Sequence, residues 1–203
     1  MTGAFPPGST FKAFTAMAAL EGKLVDPKDT IHCDGVLYYG KRPFRCTHHH
    51  GQVNLKQSIA ESCNIYFFKL GEAIGVDRIA QIGNEFGLGQ KTGLSINPES
   101  PGKMPTRAWY TLRYRGQFRI GFTLNTAIGQ GAVLVTPVQL ALAYAAIGNG
   151  GTVYSPQIVR SLETSDGTVY QDFSPRVRQK AHVSPDTLAK VQAGLHAVVN
   201  DEL

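Results

Sequence analysis

Apolar residues along the chain recur mostly at helical spacing. Phe11, Phe14, Met17, Ala18 and Leu20 are apolar, predicting a helix over 10–21 with Ser9 at its N-terminus and Gly22 as its stop. Asn54 and Gln57 form a capping box ahead of Ile59 and Ala60. A second helix begins near Asn64 and carries Tyr66, Phe67 and Leu70. A third starts at Asp77, carries Ile79, Ile82 and Phe86, and ends at Gly87-Leu-Gly89. Thr136-Pro137-Val-Gln139 combines a capping threonine, a first-position proline and a third-position glutamine, so a helix runs through Leu140, Ala143, Tyr144 and Ile147 to Gly148. Ser184-Pro185 opens a last helix through Leu188, Val191, Leu195 and Val198. Strand character is confined to 152–160 and 167–172, around a Ser165-Asp-Gly167 turn. Residues 30–53 keep no period and read as irregular; 88–135, with Pro98, Pro101 and Pro105, read as loop. The pattern predicts a mixed α/β (α+β) chain dominated by helix.

A length of 203 residues suits one domain, and 42% hydrophobic against 17% charged residues permits a sizeable core. The net charge of +5 comes from Lys and Arg scattered along the chain. That scatter reads as a solvated surface rather than a nucleic-acid interface. No run of 18 apolar residues is present to span a membrane, and no signal peptide is visible. Met1 precedes Thr2-Gly-Ala-Phe-Pro-Pro abruptly, and the chain stops at Asn200-Asp-Glu-Leu just after a helical pattern. Both ends therefore read as cuts within a longer chain.

Ser9-Thr-Phe-Lys12 follows a Pro-Pro-Gly turn at a helix start. A serine and a lysine three apart lie on one helical face, so the amine reaches the hydroxyl and makes a nucleophile without histidine. The positive end of the helix dipole favours a negative oxygen at Ser9. Alone the match is weak, arising by chance on the order of once in a chain of this length. Ser62-Cys63-Asn64 places a hydroxyl and an amide one residue apart between two helical patterns. Alone it is a bland loop sequence.

Together these stretches resemble the penicillin-binding transpeptidases. The resemblance rests on Pro6-Pro-Gly-Ser-Thr-Phe-Lys12, Ser62-Cys-Asn64, and Ile128-Gly-Gln-Gly131 followed by Thr136-Pro-Val-Gln139. Gly102-Lys-Met-Pro-Thr-Arg-Ala-Trp109 is similar to the elongation-type class B members, the penicillin-binding protein 2 group. The resemblance implies a serine transpeptidase, β-lactamase-like fold: an antiparallel sheet sandwiched by helices and an all-helical subdomain. Residues 1–203 would hold most of the helical part and little of the sheet. It implies that Ser9 attacks a D-Ala-D-Ala carbonyl of a peptidoglycan stem peptide and that Lys12 takes its proton. Ser62 relays a proton to the leaving amine, and Asn64 holds substrate and orients Lys12. β-Lactams acylate the same serine.

The implied setting is the periplasmic face of a bacterial inner membrane, with a membrane glycosyltransferase and shape-determining proteins as partners and no cofactor for catalysis. The family's catalytic Lys-Thr-Gly is expected on a strand after the last helix, beyond Leu203, which predicts a poor or inactive enzyme for this stretch alone. Lys91-Thr92-Gly93 and Ser100-Pro-Gly-Lys103 match motifs but read as decoys, the second because Pro and Gly break the helical turn. Rival readings are a class D β-lactamase or sensor, and a noncatalytic scaffold of the elongation complex.

Cys33, Cys46, His50 and Cys63 are spaced Cys-x12-Cys-x3-His-x12-Cys. Three thiolates and an imidazole complete a tetrahedral structural zinc site and use all three cysteines. The alternative is a Cys33–Cys46 disulfide with Cys63 free. Gly51 beside His50 favours it over His48 and His49 as the ligand.

Overall fold

The structure, a computed structural model, describes residues 2–94 and 98–200. A 3-10 turn, Gly8–Phe11, leads into helix α1, Lys12–Glu21. Every residue of α1 from Lys12 to Ala19 is buried, so this helix has no solvent face and forms the centre of the molecule. Around it lie α2 (Leu55–Ala60), α3 (Asn64–Ile74), α4 (Val76–Glu85) and α8 (Pro185–Asn200). The remaining helices are α5 (Arg107–Arg113), α6 (Ile120–Ala127) and α7 (Pro137–Gly148).

Both capping boxes form: Gln57 N–H donates to Asn54 Oδ1 at 3.0 Å and Gln139 N–H to Thr136 Oγ1 at 3.2 Å, each reciprocated by the glutamine side chain. Small residues set the closest helix approaches. A Cβ on Gly71 of α3 would lie 2.6 Å from Ala127 Cβ of α6, and one on Gly194 of α8 would lie 2.7 Å from Ile59 of α2.

Residues 30–53 are not irregular. They form β1 (Ile31–Cys33), β2 (Val36–Tyr39), β3 (Arg42–Arg45) and β4 (Gly51–Val53). β2 and β3 make a hairpin, and β1 pairs antiparallel with β4 across it. Strands of three and four residues are too short to show a period of two. Nor are 88–135 all loop, since α5 and α6 lie within them. α5 has a cap, Thr106 Oγ1 accepting from Trp109 N–H at 3.1 Å, hidden in the sequence behind Pro105. α6 buries Thr123 and Thr126 beside Leu124, which blurs its apolar stripe. The hairpin around Ser165-Asp-Gly167 pairs β6 (Ser161–Glu163) with β7 (Val169–Asp172). β5 (Thr152–Tyr154) instead pairs with β8 (Val177–Lys180). Among the described residues the sheet content is thus four two-stranded antiparallel ladders beside eight α-helices, a mixed α/β fold with helix dominant.

Candidate active site

Three contacts fix the turn that carries Ser9. Phe5 and Val135 exchange backbone hydrogen bonds of 2.9 Å in each direction, and Gly8 N–H donates to Gly129 C=O at 2.9 Å. Tyr144 of α7 donates its hydroxyl to Thr10 C=O at 2.8 Å. Gly129 has to be glycine. It holds φ +67°, and a Cβ there would lie 2.3 Å from Gly8 O and 2.5 Å from Phe11 Cβ. Ser9 itself lies in the 3-10 turn just before α1 and is solvent-exposed.

Ser62 sits in the three-residue gap between α2 and α3, at φ +56°. A non-glycine residue in the left-handed region costs roughly 1–2 kcal/mol and persists where its surroundings over-determine it. Here the anchors are Ser62 N–H to Ile59 C=O at 3.3 Å and Cys63 N–H to Ser58 C=O at 3.0 Å. The strain turns the Ser62 hydroxyl and carbonyl toward Lys12.

The structure brings Ser9, Lys12, Ser62 and Asn64 into one network. Lys12 Nζ donates to Ser62 C=O at 2.6 Å, to Asn64 Oδ1 at 2.7 Å and to Ser62 Oγ at 2.8 Å. Ser62 Oγ donates in turn to Ser9 Oγ at 2.9 Å. The hydrogen-bond path between serine and lysine therefore runs through Ser62, where residue spacing predicted direct contact. Asn64 is held by Nδ2 donating to Arg45 C=O at 3.1 Å.

Lys12 is 2% exposed, and burial lowers its pKa from 10.5 to about 8, against an upward pull from the thiols of Cys46 and Cys63. A lysine so placed has a neutral fraction near physiological pH, which a surface lysine lacks.

Cys33, Cys46, His50 and Cys63 also converge. Their ligand atoms all lie within 4.8 Å of one another, and all three cysteines are free thiols. His50 Nδ1 lies 3.4 Å from Cys33 Sγ and 3.5 Å from Cys46 Sγ. Tetrahedral zinc with bonds of about 2.0–2.3 Å sets its ligands roughly 3.5–3.8 Å apart, so the donors present fit that ion. Hydrogen bonding from the Cys63 thiol, then from backbone N–H groups, holds Cys46 well below the usual thiol range; Cys63, facing that thiolate, is pushed up. The other ring nitrogen, His50 Nε2, lies 4.0 Å from Glu61, an ion-pair distance too long for a hydrogen bond.

The two constellations share parts. Asn64 N–H donates to Cys46 Sγ at 3.1 Å, and Cys63 separates Ser62 from Asn64.

The two decoy motifs are engaged elsewhere. Thr92 donates its N–H and hydroxyl to Glu99, and Gly93 N–H reaches the other Glu99 oxygen at 3.2 Å. Ser100 accepts from Gly102 N–H at 3.2 Å, and Lys103 lies over Trp109. Sequence reasoning placed Tyr144 on an apolar helix face and assigned Gly129 no role. Only the turn they support reveals their function.

The chain matches the penicillin binding protein transpeptidase domain over residues 1–202. It is 35% identical over 174 residues to the peptidoglycan D,D-transpeptidase MrdA of Haemophilus influenzae, covering 84% of this chain and 27% of that protein. Against MrdA of Escherichia coli K12 the figures are 31% over 202 residues, 98% and 32%. The solved complex of penicillin-binding protein PBP2 with MreC from Helicobacter pylori superposes with a TM-score of 0.82 at 29% identity, covering 98% of this chain and 36% of that one. The chain thus spans between a quarter and a third of the length of these curated relatives.

Proposed function

Since the chain belongs to the penicillin-binding protein transpeptidase family, we infer that the protein carrying it is a peptidoglycan D,D-transpeptidase of the elongation type, working through a serine acyl-enzyme. The observation that carries this reading is the Ser9–Ser62–Lys12–Asn64 network. Its donors run from Lys12 through Ser62 to Ser9, as expected with Lys12 charged. When Lys12 is neutral the direction reverses: Ser9 gives its proton to Ser62 Oγ, which passes its own to Lys12 Nζ. Ser9 Oγ then attacks the carbonyl of the penultimate D-Ala, the peptide C–N bond breaks, and the proton returns through Ser62 to the leaving amine. The amine of a second stem peptide attacks the ester, forms the cross-link and restores Ser9. A β-lactam opens on Ser9 in the same way, and its ester persists.

Asn64 holds Lys12 in place while its own amide is anchored on Arg45 C=O. Zinc held by Cys33, Cys46, His50 and Cys63 is a structural group in this reading. It ties the 31–53 strands to the loop that carries Ser62 and Asn64. Catalysis itself uses no cofactor. The setting is the periplasmic face of an inner membrane, beside a glycosyltransferase and shape-determining proteins, and PBP2 of H. pylori is solved in complex with MreC. No helix among the described residues is long and apolar enough to cross a membrane.

The test is labelling of the protein carrying this domain with fluorescent penicillin. The wild type takes one label and Ser9→Ala takes none while keeping its melting temperature. No label on the wild type, or a label that survives Ser9→Ala, refutes the reading and leaves the scaffold alternative.

A further inference from the structure

The net positive charge of this chain is not spread evenly. Between Glu99 and Glu163 there is no acidic residue, and five of the chain's twenty Lys and Arg fall at Lys103, Arg107, Arg113, Arg115 and Arg119. Arg107 and Arg113 lie on α5, Arg115 and Arg119 in the turn between α5 and α6, and Lys103 four residues before α5. The same segment carries a continuous ring array. Tyr110 and Phe122 stack at 4.6 Å with their planes 3° apart, Tyr114 stacks on Phe122 at 4.6 Å, and Phe118 and Trp109 pack edge-on against Tyr110. Cations lie over these rings: Lys103 4.7 Å from Trp109, and Arg107 4.5 Å from Phe118.

Much of this surface faces solvent. Leu112 is 86% exposed, Tyr114 45% and Ile120 37%. Arg115 at the tip holds φ +52°, a conformation that costs free energy for any residue but glycine. An open groove of about 560 Å³ runs alongside, lined by Asp77, Arg107, Ala108, Thr111 and Leu112, within the size range of ligand clefts. Asp77, which accepts Arg107 N–H at 2.7 Å, marks its acidic border.

We propose that the exposed basic and aromatic surface of α5 and α6 is a docking track for the peptidoglycan strand whose stem peptide reaches Ser9. This rests on the transpeptidase reading. Two arguments commit the track to that occupant. The first is complementarity: stem peptides carry carboxylates and glycan strands carry sugar rings, matched by the exposed Arg113, Arg115 and Arg119 and by the exposed edge of Tyr114.

The second is distance. The C-terminal end of α6 abuts the nucleophile turn, with Thr15 donating to Ala127 C=O at 2.8 Å and Gly129 against Gly8. Its N-terminal end begins at the tip. Eight residues of helix span about 12 Å, and a four-residue extended peptide spans roughly 13–14 Å. A stem with its scissile bond at Ser9 has the length to bring its sugar end to the track.

The experiment is co-sedimentation of the protein carrying this domain with purified insoluble peptidoglycan at rising salt. Wild type is compared with a triple variant, Arg113→Gln, Arg115→Gln and Arg119→Gln, and separately with Tyr114→Ala. The triple variant should bind at least about tenfold more weakly with a flatter salt dependence, and Tyr114→Ala should weaken binding with the salt dependence retained. Penicillin labelling should stay at wild-type values in both; the triple variant should keep its melting temperature, and Tyr114→Ala, which loses its stacking on Phe122, should melt a few degrees lower. Wild-type affinity in both variants overturns the track, as does wild-type binding to anionic-lipid vesicles in preference to peptidoglycan. Loss of binding in the variants of a protein that takes no penicillin overturns the enzyme reading, and with it the link to Ser9, while the peptidoglycan-binding surface itself is kept.

Discussion

Gly129→Ala tests whether the turn that carries Ser9 is held by the packing beneath it. The new Cβ would sit 2.3 Å from Gly8 O and 2.5 Å from Phe11 Cβ. Neither neighbour can yield cheaply: one is backbone and the other belongs to a fully buried side chain. Relief needs a shift of about 1 Å in the turn that carries Ser9, at a φ of +67° that alanine resists. The left-handed conformation costs roughly 1–2 kcal/mol and overpacking a further ~1–3, about 2–5 kcal/mol in all. At ~2–4 °C per kcal/mol for a domain of this size, the melting temperature should fall by roughly 5–20 °C. A misplacement of about 1 Å at the reacting atom should slow penicillin acylation by about 10²-fold even below the melting transition. The assays are thermal unfolding and stopped-flow acylation. Gly148→Ala is the control, because Gly148 ends α7 with nothing within 4 Å of its would-be Cβ; it should be neutral or slightly stabilising. A Gly129→Ala protein with wild-type melting temperature and acylation rate would falsify the packing argument.

Three further outcomes follow from the same geometry. Tyr144→Phe removes the bond to Thr10 C=O and should cost about 1 kcal/mol in urea unfolding, slowing acylation a few-fold with penicillin's initial binding unchanged; a change in binding alone would contradict a positioning role. Burial lowers Lys12 to a pKa of about 8, so the neutral base is gained as pH rises. The acylation rate should therefore climb about tenfold per unit below that value and level off above it, and a rate flat from pH 6 to 9 would dismiss Lys12 as the base. Elemental analysis should find one zinc per chain, and chelation should lower the melting temperature and slow labelling together, because Cys63 and Cys46 border Ser62 and Asn64; a metal-free protein with an unchanged melting curve after chelator would remove zinc from the account.

Parts of the fold were legible because their causes are local. The Asn54–Gln57 and Thr136–Gln139 boxes need only residues three apart, and the structure forms both. α1 announced itself through an apolar run that continues on every face. The short strands of 31–53 did not, because their pairing is decided by contacts between β1 and β4 across an intervening hairpin rather than by alternation within each. α5 and α6 were lost among prolines, glycines and, in α6, buried threonines, on a helix that packs against α3 and α4.

By itself the sequence determined the chemical inventory: a serine and a lysine at one helix start, a second serine and an asparagine 53 and 55 residues after Ser9, three cysteines and a histidine with zinc-ligand spacing, and the ordered motifs that mark the family. Tertiary structure alone decided that Ser62 stands between Ser9 and Lys12, that burial lowers the Lys12 pKa to about 8, and that Gly129 and Tyr144 support the turn that carries Ser9. The reason is range. Caps, turns and motif spacing are set by neighbours within a few residues, whereas desolvation and hydrogen-bond order depend on which distant segments the packed core presses together.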